Sequence, residues 1–211
     1  VSVGTAGARK LAATLDNRGQ LTTYTDLLVE SLSGTPSSSG GLFVYEGTLT
    51  FHQTGTTPGL ELSGTVFADT AATLAVLAGT VNIANGTTIT GGGTLSLRSA
   101  NANIAASIGT RFDTDYGSIT FTAPLASPSV TFVGSTVNGD GSIAVGPGDS
   151  LTAINATVEL PMTVSGAVTL IGTAALNGAV LMGETATMRI SAALDGRNGT
   201  ANTNAVIAQP F

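Results

Sequence analysis

GTVNIANGTTITGGGTLSL, residues Gly79–Leu97, holds two copies of one short phrase. The copies are Gly79-Thr80-Val81-Asn82-Ile83 and Gly93-Thr94-Leu95-Ser96-Leu97. Each is a glycine, then a small hydroxyl residue, then apolar side chains at every second position. Period-two alternation sends those apolar side chains to one face of an extended strand. The leading glycine supplies the backbone freedom that a tight corner needs. Each copy therefore reads as a half-buried strand reached through a turn.

The phrase recurs outward in both directions. Gly47-Thr48-Leu49-Thr50-Phe51 and Gly64-Thr65-Val66-Phe67-Ala68 precede it. Gly117-Ser118-Ile119-Thr120-Phe121 and Gly141-Ser142-Ile143-Ala144-Val145 follow, and looser copies begin at Gly166 and Gly178. The spacing of these glycines is uneven. Gly47, Gly64, Gly79 and Gly93 follow one another closely, whereas Gly93, Gly117, Gly141 and Gly166 are wider apart and almost evenly placed. A β-solenoid stacks coils of roughly 20–30 residues over a continuous apolar core. A β-sandwich or jelly roll instead shows turn signals about every 8–12 residues. The wide intervals match one solenoid coil each, while the close ones are short for a three-sided coil and suit single sides or hairpins. The expected fold is all-β, a β-solenoid with a short N-terminal cap; the alternative is a sandwich or jelly roll.

Leu15-Asp16-Asn17-Arg18-Gly19-Gln20-Leu21 resembles a phrase that recurs in filamentous-haemagglutinin-like exoproteins. The Gly79–Leu97 stretch is similar to the Gly-Thr-Leu phrases of bacterial autotransporter passengers. The resemblance extends as a texture over residues 41–185. It implies a right-handed parallel β-helix, secretion, and a role in adhesion or surface coating. It carries no fixed functional residues, and the irregular glycine spacing departs from it.

Charge divides the chain. Of 211 residues only 20 are charged, 7 basic and 13 acidic, against about a quarter in an ordinary domain. Six of the 20 fall between Val1 and Glu30: Arg9, Lys10, Asp16, Arg18, Asp26 and Glu30. Residues 1–32 are therefore read as a cap or connector. Ser33-Gly34-Thr35-Pro36-Ser37-Ser38-Ser39-Gly40-Gly41 is read as a linker or loop, and 42–211 as the strand-rich body. Arg9–Leu15 has the composition of a short helix, and Tyr24–Leu32 suits strand or helix. Arg9, Lys10, Leu11, Leu15, Leu21, Tyr24, Leu27 and Leu28 form a candidate assembly segment, either capping the first coil or exchanging into a second subunit. The apolar end, Asn204–Phe211, is suited to a final strand.

Composition excludes several chemistries. One lysine and a net charge of −6 give no basic footprint for nucleic acid. Cysteine is absent, so disulfides, thiol nucleophiles and thiolate metal sites are excluded. No apolar run is long enough to span a membrane. No signal peptide is visible, and a start at Val1 reads as processing or excision from a larger parent chain. With 34 threonines and 28 glycines, the composition suits an extracellular, cell-surface or virion-surface protein.

Asp113-Thr114-Asp115 is the densest acidic spot. Two carboxylates in this pattern offer oxygens to Ca²⁺ or form the pair of a sugar-cleaving site. A coil as long as the Gly117–Gly141 interval brings Asp140 and Asp149 about one coil away. Polar turn residues are the plainer reading of all four. Beyond calcium, no cofactor is implied. His52 has no triad partner in the sequence and is expected to face outward with Thr50. Gly-x-Ser-x-Gly does not occur. Asn-x-Thr sequons stand at Asn85, Asn155 and Asn198. Thr48, Thr50, Thr65, Thr80, Thr94, Thr120 and Thr122 are candidates for hydroxyl rows that bind polysaccharide or ice, although no strict Thr-x-Thr repeats at one interval. The expected function is a non-enzymatic extracellular structural or adhesive surface protein that presents a repetitive Thr/Ser/Asn surface within an assembly, its partners being copies of itself or a larger parent chain. A filament or virion subunit and a β-helix polysaccharide lyase or hydrolase are the alternatives.

Overall fold

The computed structural model describes residues 9–31, 33–53 and 59–191, together with the backbone of 202–203 and 207–208. Among these residues every regular element is a strand, and every strand pairing is parallel. The fold is a β-solenoid of about eight turns. Parallel pairing excludes the sandwich and jelly-roll alternative, whose sheets are antiparallel.

Each coil has three sides. One column on the first face runs Arg9, Leu27, Leu49, Leu74, Leu95, Phe112, Val130, Leu151, Val168 and Met188. Coil length along this column is not constant: the step from Leu49 to Leu74 is among the longest and that from Leu95 to Phe112 among the shortest. The second face stacks short strands such as Asp16–Asn17, Ser37–Ser38, Leu60–Leu62 and Thr157–Val158. In the middle coils one strand covers both of these faces, as in Thr73–Ile83, Thr94–Ile104 and Arg111–Phe121. The third face holds two sheets, from Gln20–Tyr24 to Thr88–Thr90 and from Ile143–Val145 to Ile207–Ala208. Between them the Ser127 hydroxyl bonds the Thr110 carbonyl at 2.6 Å, joining coils where the ladder is interrupted.

The apolar positions of the glycine phrases form one continuous interior from Val29 to Met182. Its centre holds Phe112, edge-on to Phe121 and Phe132 with centroids 5.8 and 6.3 Å away. The glycines do not mark equivalent points. Gly93 precedes the first face, Gly117 lies at the corner between first and second, Gly141 precedes the third, and Gly166 precedes the first again. The wide intervals between them are therefore one coil plus one side rather than one coil.

Residues 9–31 belong to the same stack. Arg9–Ala12 is a strand paired with Leu27–Glu30, so the helix expected over Arg9–Leu15 is not formed. The ladder offered by Leu27–Ser31 outweighs the helical propensity of this short stretch. Ser37–Ser38, inside the Ser/Gly/Pro run, pairs with Asp16–Asn17 on one side and with Glu61–Leu62 on the other. The buried Asn17 amide reinforces this region, donating to Ser38 Oγ at 2.9 Å and to the Gly41 carbonyl at 3.0 Å. Ile207–Ala208 pairs with Val180–Leu181.

The corner between first and second faces is built from left-handed residues stacked coil on coil. Ala78, Ser99, Tyr116, Gly134, Asn155 and Gly172 have φ of 61°, 50°, 54°, 57°, 50° and 69°. Four of the six are not glycine, so the register imposes a conformation that L-residues resist. The two glycines follow large side chains. A Cβ on Gly134 meets the Tyr116 ring at 2.5 Å, and one on Gly172 meets Asn155 Oδ1 at 2.1 Å. Gly172→Ala is expected to destabilise the fold by about 1–3 kcal/mol, and Asn155→Gly in the same chain should recover part of that loss. Phe112→Ala should cost about 3–5 kcal/mol by leaving a cavity among the rings. Denaturant unfolding of each variant measures both; a Gly172→Ala chain as stable as the parent contradicts the corner account.

Candidate functional site

The outward side chains of the second face make the most regular surface. One column runs Asp16, Ser37, Glu61, Asn82, Asn103, Thr120 and Asn138 in direct register. Side chains bond along it from coil to coil. Ser37 donates to Asp16 at 3.2 Å, Asn82 to Glu61 at 2.6 Å, Asn103 to Asn82 at 2.8 Å and Thr120 to Asn138 at 2.9 Å. A neighbouring column carries Thr80, Asn101, Ser118, Thr136 and Thr157. There Asn101 Oδ1 accepts the Ser118 amide N–H at 2.9 Å. Over these five coils the face reads Thr-x-Asn, Asn-x-Asn, Ser-x-Thr, Thr-x-Asn and Thr-x-Glu, ending at Glu159.

The expected threonine rows are distributed differently. Thr48, Thr50 and Thr94 lie on the first face, Thr65 on the third, and Thr80 and Thr120 on the second, with Thr122 just beyond it. They do not form one surface, because the glycines used to align them occupy different corners. The asparagines of the second face are not among the expected site residues. Their signal is present as polar-x-polar pairs beginning at Thr80, Asn101, Ser118, Thr136 and Thr157, visible only once the coils are allowed unequal lengths.

Asp113 and Asp115 both face outward on the first face, while Thr114 between them is buried and bonds Ser135 Oγ at 2.8 Å. They share a shallow cleft with Ser96, Arg98, Thr131 and Val133. Burial raises the Asp113 pKa above its ordinary value; a hydrogen bond from Thr131 and the charges of Arg111 and Arg98 oppose that rise. Asp140 and Asp149 do not join the pair. Thr131 stacks on Asp113 and Val133 on Asp115. Asp140 lies in the turn before the third face, and Asp149 lies in the turn before the first, where its Oδ2 accepts the Gly146 N–H at 3.1 Å. Among the described residues no three of His, Cys, Asp and Glu are grouped to hold a metal ion.

His52 faces outward with its Nδ1 3.9 Å from Glu30, which also pairs with Lys10. Asn85 is exposed in a turn. Asn155 is a corner residue whose Oδ1 accepts the Thr173 N–H at 2.9 Å, and Asn198 lies outside the described residues. Within the assembly segment, Leu15, Leu21 and Leu27 pack against the core. Tyr24 is 64% exposed and stacks on Tyr45, with centroids 5.1 Å apart and planes at 9°. Among the described residues no helix is long and apolar enough to cross a membrane.

No family model, no curated protein and no solved structure matches this chain.

Asp113 supplies a pH test. Its raised pKa means that the folded state binds the proton more tightly than the unfolded chain. Protonation therefore favours folding, and stability is lost as pH rises through the carboxylate range. Asp113→Asn should raise the thermal midpoint at pH 7, and the gain should vanish in acid below that range. A variant less stable than the parent at pH 7 contradicts the burial account.

Proposed function

We propose that the chain is a non-enzymatic extracellular structural or adhesive element that works through its repetitive polar surface. The observation that carries this reading is the second-face column from Asp16 to Asn138, in which side-chain hydrogen bonds bridge four of the six coil-to-coil steps. Such bonds hold a row of polar groups in place before any partner arrives, which lowers the entropy lost on binding. The scattered placement of Asp113/Asp115, Asp140 and Asp149 supports an adhesive role over glycan cleavage. Beads coated with the protein should attach to cell-wall material without releasing reducing ends or unsaturated sugars. Failure to attach, or sugar release that disappears in the Asp113→Asn/Asp115→Asn variant, contradicts the reading.

One observation favours a second reading, a subunit that stacks end to end. Among the described residues a single inward column runs from Leu11, 39% exposed, to Ile190, 53% exposed, whereas Val29, Phe51, Val76, Leu97, Thr114, Phe132, Ala153 and Leu170 between them are buried. Lys10 and Arg189 oppose stacking. Among the described residues they are the first and last members of one outward column, so a head-to-tail neighbour stacked on it brings like charges together. Electron micrographs decide: filaments of the purified chain select this second reading, and single short rods reject it.

A further inference from the structure

We propose that the second face binds a neutral polysaccharide chain laid along the solenoid axis, across the coils from Thr80 to Glu159. This rests on the adhesive reading above and names the partner of that same surface. On the second face of these coils nine of the ten outward side chains are amides or hydroxyls, and the tenth is Glu159. None is basic, and the chain as a whole carries −6. Nucleic acids, uronates and sulfated glycans are therefore repelled rather than held. None of the ten is apolar or aromatic, so the strip lacks the buried anchors on which protein partners depend.

What the strip does hold is hydrogen-bonding capacity in a fixed arrangement. An asparagine amide has two N–H groups and an oxygen that accepts twice. Asn82 and Asn103 each commit one N–H to the residue one coil away. The second N–H of each is left for an outside acceptor. Thr80, Ser118 and Thr136 in the adjoining column add hydroxyls that both donate and accept. Coils repeat about every 4.8 Å. The outcome is a lattice of donors and acceptors whose one charged member is Glu159, complementary to the repeated hydroxyls of an uncharged sugar polymer.

The test is depletion of the 211-residue chain from solution by insoluble cellulose and by chitin, with polygalacturonate beads as the anionic control. The parent should bind at least one neutral polymer, and little of that binding should be lost at high salt. Asn82→Ala/Asn103→Ala should weaken it about tenfold or more, because both amides that meet the polymer are removed. Thr152→Ala, an outward polar change on the first face, should leave binding unchanged, with circular dichroism showing all variants folded. The inference is overturned if the parent binds neither neutral polymer, if the double variant binds as well as the parent, or if polygalacturonate is preferred. Concentration-dependent self-association that the double variant abolishes also overturns it, by making a second copy the occupant. Coated beads that still attach to cell walls while cellulose and chitin fail would reject this inference and leave the adhesive reading standing.

Discussion

Parallel register between successive coils is the constraint on which the rest of the structure depends. A strand residue in one coil lies directly over its counterpart in the next, so each paired position is repeated as a column. An interior column must be apolar in nearly every coil, and the column from Leu49 through Phe112 to Val168 meets that demand. An outward column has no such demand and is free to become functional. Asn82 over Glu61 and Asn103 over Asn82 are consequences of the same stacking.

Register also governs the corners. The first-to-second corner holds a left-handed residue in six stacked coils, whichever residue the sequence supplies. Gly134 and Gly172 are placed where the coil before them presents Tyr116 and Asn155. The large and the absent side chain form one packing unit spanning two coils. Substitution of one member is therefore coupled to the other, as expected for residues in contact.

Much of the fold is legible in the sequence. Period-two alternation after Gly47, Gly64 and Gly93 marks real strands with Leu49, Phe51, Val66, Leu95 and Leu97 inside. The coil length is not legible from glycines, because three different corners use them in turn. Arg9–Ala12 reads as helix in isolation, since its pairing with Leu27–Glu30 is a nonlocal contact that propensity does not contain. The candidate site is legible only in part. Thr80 and Thr120 stand out for their hydroxyls, but Asn82, Asn103 and Asn138 become a surface only when coils of unequal length are aligned. A threonine in a strand is also ordinary strand chemistry, so composition alone gives no reason to separate the second face from the others.

The absence of cysteine makes the register directly measurable. Asn82 and Asn103 are outward neighbours in register, within the separation that a disulfide spans. Under mild oxidation, the Asn82→Cys/Asn103→Cys chain should form an intramolecular disulfide rapidly and remain folded. Asn82→Cys/Asn101→Cys, in which the second cysteine sits over Thr80 instead, should not. Efficient crosslinking of the displaced pair, with none in the aligned pair, would contradict the register and the polar surface built on it.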